Sequence, residues 1–126
     1  MMKINFKNKV VLITGGSSGI GKQLANKFAH LNAKVICTTT NINKNKNKKN
    51  INFLSLNLNN DSSINKFCND IRKLRRIDVL INNAGINKID PINQIKNEDW
   101  RKIHNVNIRG PLLLTKEVSK IMIKQK

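Results

Sequence analysis

The sequence predicts an α/β fold, a doubly wound parallel sheet that is truncated after a fourth strand and the helix following it. Three observations carry this expectation. Short apolar runs rich in β-branched residues alternate with stretches whose apolar residues recur at helical spacing. The first run stops abruptly in a glycine-rich turn that opens the first helical stretch. Several runs are continuously apolar, the pattern of strands covered on both faces rather than one.

The elements follow in order. Lys9–Thr14 reads as a buried strand by its β-branched density and its glycine stop. From Ile20 to Leu31, Ile20, Leu24, Phe28 and Leu31 fall at helical spacing with Ala25 and Ala29 on the flank, a helix with those residues inward. Lys34–Thr40 is a second strand and Ile51–Leu58 a third. The segment between them, Asn41 to Asn50, has one apolar residue and no periodicity. It is barely long enough for a parallel crossover and is expected to hold at most a rudimentary helix. A helix from about Asp61 to Leu74 turns Ile64, Phe67, Cys68 and Ile71 inward, with Asn60 or Asp61 as N-cap. Ile77–Asn82 is a fourth strand, expected to be buried on both sides, and a long helix occupies the remainder from about Glu98. Together these make one domain, residues 1–126, with strand order 3-2-1-4.

Composition removes several function classes. The longest apolar runs, Val10–Ile13 and Leu112–Leu114, are far too short to cross a bilayer. The N-terminal residues include no apolar segment of secretory type, which points to the cytoplasm, with a mitochondrial or plastid destination as the alternative. Cys37 and Cys68 have no metal-type spacing, so they read as two buried thiols and no metal site is expected. The net charge of +17 suggests attraction to polyanions. Yet 22 Asn, 19 Lys and 18 Ile all come from A/T-rich codons, the lysines are scattered, and no nucleic-acid-binding motif appears. Codon bias is the better account, and no nucleic-acid partner is expected.

The chemistry concentrates in Thr14-Gly15-Gly16-Ser17-Ser18-Gly19-Ile20-Gly21, between the first strand and first helix. Glycines there permit a tight turn and a close backbone approach to a pyrophosphate, whose charge the helix N-terminus then binds. A branched side chain at Gly19 is therefore expected to block binding. Asn82-Asn83-Ala84-Gly85 directly follows the fourth strand, and Trp100 precedes Val106-Asn107-Ile108-Arg109-Gly110 on the last helix. Pro111 has no N–H for the carbonyl four residues earlier, which leaves that of Asn107 free for a water or ligand.

The glycine spacing, the NNAG run and the asparagine stretch, in this order, resemble the short-chain dehydrogenase/reductase family across the chain from Lys9 onward. Within it the likeness is greatest to the 3-oxoacyl-(acyl-carrier-protein) reductases. The resemblance implies a Rossmann-type fold and an NAD(P)-dependent oxidoreductase moving hydride to a carbonyl such as a 3-oxoacyl thioester of fatty acid biosynthesis. It also implies a homo-oligomer in the complete protein. By the same resemblance, Thr14, Gly15, Ser17, Ser18, Gly19, Ile20, Gly21, Thr40, Asn57, Leu58, Asn83, Ala84 and Gly85 hold the cofactor. Asn107 is one member of a four-residue catalytic set, its main chain holding a water in a proton relay.

Cofactor choice has a physical argument of its own. A site for NAD places a carboxylate near the end of the second strand, for the ribose hydroxyls. Here that end reads Thr38-Thr39-Thr40-Asn41, with Lys44, Lys46, Lys48 and Lys49 just beyond and no carboxylate before Asp61. NADP(H) is expected to be preferred, with NAD(H) also accepted. The remaining catalytic members in the family, a serine and a YxxxK pair, lie beyond the fifth strand, and this chain contains no tyrosine. The alternative to an enzyme is therefore a catalytically inactive, truncated nucleotide-binding remnant.

Overall fold

A computed structural model of the chain describes residues 4–125. Four strands, β1 (Val10–Ile13), β2 (Lys34–Thr39), β3 (Ile51–Ser55) and β4 (Val79–Ile81), form one sheet in the order β3-β2-β1-β4. Every pairing is parallel. This is the expected α/β arrangement, and the strand order reverses between β1 and β4.

Period-two alternation divides the core. Val11, Ile13, Val35 and Cys37 point to one face of the sheet, where α1 (Gly19–His30) covers them with Ala25, Leu24 and Phe28. Leu12 and Ile36 point to the other face, against α2 (Asp61–Arg72) and a long C-terminal helical segment. Asn60 caps α2, its side chain accepting a 2.8 Å bond from Ser63 N–H. The inward residues of α2 are Ile64, Phe67, Cys68 and Ile71, as the spacing predicts.

Three expectations need correction. Ile20 does not face the core: it is 75% exposed, because the first turn of α1 projects past the sheet and the buried contacts come from Gly21 and Ala25. β4 is not buried on both sides. Val79, Leu80 and Ile81 are all half-buried, since among the described residues only β1 pairs with this strand.

The last helix is not uniform. It consists of α3 (Asn97–His104), a π-helical turn (Asn105–Arg109) and α4 (Gly110–Lys124). Gly110 N–H reaches the Asn105 carbonyl, five residues back instead of four. Gly110 lies so close to Leu58 that an added Cβ would sit 2.8 Å from the Leu58 Cβ. The widened turn thus seats the helix against the β3–α2 loop, and Pro111, lacking an N–H, tolerates the interrupted ladder.

Two polar ties hold the same junction: Arg109 pairs bidentately with Asp61, at 2.6 and 3.1 Å, and Asn105 bonds Asn59 at 3.1 Å. The 41–50 connection holds a 3-10 turn, Ile42–Lys44, and an isolated antiparallel bridge from Lys48 to Ile51, but no α-helix. Among the described residues no helix is long and apolar enough to cross a membrane.

Candidate functional site

A cavity of about 550 Å³ opens at the C-terminal ends of the strands, over the point where the strand order reverses. Its lining joins Gly15, Ser17 and Ser18 after β1, Thr38–Thr40 at the end of β2, Leu56–Leu58 after β3, and Asn83–Ile86 after β4. Lys102 and Val106 complete it from the helical segment. Of the residues expected to hold a cofactor, Gly15, Ser17, Ser18, Thr40, Asn57, Leu58, Asn83, Ala84 and Gly85 border this space.

The other four expected residues sit differently. Thr14 is buried beneath the cavity, and its hydroxyl is a latch between two strand ends. It accepts 3.0 Å bonds from the N–H groups of Asn83 and Ala84 and lies 3.5 Å from the Ile81 carbonyl. Asn83 completes the latch by donating its side-chain amide to the carbonyls of Thr14 and Gly15 at 3.0 and 3.1 Å. Gly19, Ile20 and Gly21 lie in the first turn of α1, beside the lining. Two glycines are required by close packing. A Cβ on Gly15 would stand 3.0 Å from the Ala84 Cα, and one on Gly21 would fall inside contact distance of the Gly15 carbonyl. The glycine turn and the NNAG run are therefore in direct contact, closer than two walls facing across a crevice.

Electrostatically the cavity suits an anion. Ser18 at the N-cap of α1 makes no side-chain cap bond, and no acidic residue occupies the first turn, so the positive end of the helix dipole is uncompensated by the protein. Lys102 is the one charged side chain in the lining, which contains no carboxylate. Lys44, Lys46, Lys48 and Lys49, expected to contribute positive charge, are exposed and do not border the cavity. Beneath the turn, burial pushes the Cys37 thiol up to about 11, so it packs against Gly16 as a neutral group.

Asn107 is brought to the site by its side chain. It donates to the Ile86 carbonyl at 2.8 Å and accepts from the Ile86 N–H at 2.9 Å, clamping the end of the NNAG loop to the π-helical turn. Pro111 has no N–H to offer the Asn107 carbonyl four residues earlier. Thr38, Thr39, Leu56, Ile86, Lys102 and Val106 were not singled out as site residues by the sequence. Lys102 and Val106 had a usable signal: they lie four apart, on one helical face, beside Asn107. Thr38 and Thr39 had another, since strand C-termini border the crevice in open α/β sheets.

Comparison with known proteins agrees with this geometry. The family model for short chain dehydrogenases matches residues 9–126. The 3-oxoacyl-(acyl-carrier-protein) reductase FabG of Escherichia coli is 34% identical over 129 residues, a match covering 98% of this chain and 53% of that protein. A short chain dehydrogenase from Leptospira borgpetersenii, solved with bound NAD+, superposes with a TM-score of 0.83 at 26% identity, covering 94% of this chain and 48% of that one. A metagenomic short-chain oxidoreductase in complex with NADP gives a TM-score of 0.86 at 27% identity, covering 94% of this chain and 57% of that one. The chain thus spans about half the length of the curated relatives it matches. On sequence, topology and the joined glycine and NNAG turns together, the chain belongs to the short chain dehydrogenase family.

Proposed function

We propose that residues 1–126 are the dinucleotide-binding part of an NAD(P)-dependent oxidoreductase that prefers NADP(H). The carrying observation is the cavity at the strand-order reversal, where the glycine turn meets Asn83–Gly85 and the lining is positive and free of carboxylates. The residues fit a dinucleotide on the cavity's own terms: the Gly15–Ala84 approach leaves backbone bare for a pyrophosphate, and Leu56, Leu58 and Val106 offer an apolar wall to a base. Thr14 and Gly21 support this site from behind. Gly15, Ser17, Ser18, Gly19 and Ile20 would hold the pyrophosphate, Thr40 the adenosine ribose, Asn57 and Leu58 the base, and Asn83–Gly85 the nicotinamide half.

When bound, the nicotinamide supplies hydride chemistry toward a small carbonyl substrate. By likeness to FabG, a 3-oxoacyl thioester of fatty acid synthesis is the substrate class and the cytoplasm the setting, with a homo-oligomer as the complete form. Asn107 then serves twice, its side chain fixing the Ile86 main chain and its carbonyl holding a water. The chain contains no tyrosine, so the phenolic proton donor of this family is not among its residues.

Two results are expected. Titration by cofactor fluorescence shows tighter binding of NADPH than of NADH; equal affinity or a preference for NADH counts against the reading. The 126-residue chain with NADPH reduces no carbonyl substrate, because positioned proton transfer of this type is worth about a hundred- to ten-thousand-fold in rate. NADPH-dependent reduction by the purified chain overturns that second expectation and leaves the first standing.

A further inference from the structure

The end of the molecule opposite the cavity gathers cations from distant parts of the chain. Lys9 lies immediately before β1, Lys34 opens β2 beside Val10, Lys48 and Lys49 lead into β3, and Arg75 and Arg76 lead toward β4. Backbone bonds make these starts neighbours: Lys34 N–H donates to the Lys9 carbonyl, Val35 N–H to that of Asn50, and Asp78 N–H to that of Val10. With strands about 4.8 Å apart, the four starts form a row about 15 Å long that carries a cation from every strand. Lys7 extends the row, and all of these basic residues are exposed. Asp78 is the carboxylate within it, 3.8 Å from Lys9 and 2.7 Å from Arg76. Among the described residues no carboxylate pairs with Lys7, Lys34, Lys48, Lys49 or Arg75. The helix C-termini at this end do not claim them either, because α1, α2 and α4 have Lys27, Arg72 and Lys124 in their last turns.

The rest of this face indicates what the charges can meet. Asn8, Asn32 and Asn50, at φ of 63, 67 and 65°, turn the chain toward β1, β2 and β3 and set exposed amides among the lysines. Beside them Arg75, Arg76 and Asp78, with Met122 and Gln125, line a second cavity of about 460 Å³. Arg76 gives only its Nε to Asp78, so its terminal nitrogens meet no acceptor among the described residues. Lysines, amides and arginine forks are the donors that contact phosphate oxygens. Apolar and aromatic groups are scarce here. Of the exposed large apolar residues described, only Ile4 and Ile123 lie at this end, which disfavours a lipid surface, where apolar groups enter beside the cations. Phe6 and Phe28 are half-buried against each other, ring centroids 5.0 Å apart, and leave no platform for unpaired bases. A duplex keeps its bases stacked inside and presents one phosphate charge about every 1.7 Å of its axis, about nine along a row of this length.

We propose that this face binds the phosphate backbone of a double-stranded nucleic acid, independently of base sequence. Along the chain the lysines are scattered, which speaks against such a partner. The parallel fold removes that objection: codon bias accounts for how many lysines there are, and strand register for where they meet. The face lies at the N-terminal ends of the strands and the nucleotide cavity at their C-terminal ends. The two sites are therefore separate, and the proposal stands without the reading of the cavity.

The test measures the dissociation constant of the full chain for a fluorescent DNA duplex of about 20 base pairs and arbitrary sequence, from about 0.05 to 0.3 M salt. With five to seven phosphates contacted, the logarithm of the binding constant falls against that of the salt concentration with a slope of about −4.5 to −6.3. The triple variant Lys34→Gln, Lys49→Gln, Arg75→Gln makes the slope shallower by about 2.7 and weakens binding at least about thirty-fold at about 0.1 M salt. The control triple Lys22→Gln, Lys44→Gln, Lys96→Gln removes the same charge away from this face; it leaves the slope unchanged and affinity within about three-fold. All six substituted residues are exposed, so both triples keep the fold. Equal losses in the two triples, the mark of net charge alone, overturn the proposal, as does failure of the parent chain to bind the duplex at about 0.1 M salt. Vesicles of phosphatidylserine and phosphatidylcholine, and a single strand of the same length, are expected to bind more weakly per phosphate than the duplex. Tighter binding of either one assigns the face to that partner and overturns the proposal.

Discussion

Gly21→Ala is expected to destabilise the chain by at least about 3 kcal/mol, a large share of the roughly 5–15 kcal/mol that holds a domain of this size folded. A Cβ there would fall inside contact distance of the Gly15 carbonyl oxygen and 2.5 Å from the Asn83 side-chain amide nitrogen. The carbonyl is backbone in a turn already at positive φ, 64° at Gly15, and the same amide is bonded to two carbonyls, so neither can yield cheaply. The substitution also breaks the contact between the glycine turn and the NNAG run, and nucleotide binding is lost with the fold. Gly19→Ala makes the informative control. Gly19 has φ of 51° and nothing within 4 Å of an added Cβ, so the protein resists only through backbone strain, about 1–2 kcal/mol. Urea midpoints of the two variants check this ordering. A Gly21→Ala protein within about 0.5 kcal/mol of the parent chain contradicts the packing described here.

The contrast between these two glycines shows what the sequence can convey. The motif indicates that glycines are needed and that a backbone approaches something closely. It does not say whether that something is ligand or protein. At Gly19 an added Cβ meets nothing within 4 Å, whereas Gly21 and Gly16 answer to the Gly15 carbonyl and to Cys37. Strand order and the two-sided core were legible because they follow from repeating patterns, β-branched runs and period-two alternation; strand ends converging at a switch point put the glycine turn and Asn83–Gly85 on one crevice, but not in direct contact.

What escaped is local and three-dimensional. One π-helical turn displaces the helical phase by a single residue, too little to register against the 3.6 period of α3 and α4. Ile20 fits a helical stripe by spacing, yet the stripe begins past the edge of the sheet, where nothing covers it. Thr14 is part of the glycine motif and reads as a ligand residue, whereas its hydroxyl is occupied by the β4 end. The 3.1 Å hydrogen bond from the Asn45 side-chain amide to the Thr39 hydroxyl has no pattern in the sequence at all. Asparagine occurs 22 times in this chain, and only the fold distinguishes the one whose amide meets a strand-end hydroxyl.

Acid should release a specific part of the stability, through Glu117. This carboxylate lies on the inner side of α4, is 8% exposed, and receives Arg72 of α2 at 2.6 Å and Lys120 at 3.2 Å. The Arg72 hydrogen bond, reinforced by Lys120, holds it well below the ordinary glutamate range, down from 4.5 to about 2, against the opposing effect of burial. Because the folded value is depressed, the stabilisation is complete above the unfolded value near 4.5 and disappears as the pH falls from there through about 2. Its size is of the order of 1–3 kcal/mol, moderated by the solvent that reaches the half-exposed Arg72. The groups facing it are Arg72, Lys120 and the Cys68 thiol, itself raised first by burial and then by the Glu117 charge, so no other acid shares the titration at this spot. Other carboxylates, among them Asp61 and Asp78, are also held low by their arginine partners, so the pH dependence of the parent chain alone does not isolate Glu117. The difference between the parent and Glu117→Gln does. That difference should be about 1–3 kcal/mol in favour of the parent at neutral pH, shrink steadily below pH 4.5, and approach zero near pH 2. A difference that stays constant across that interval would show that the α2–α4 contact depends on the packing of the side chain and not on its charge.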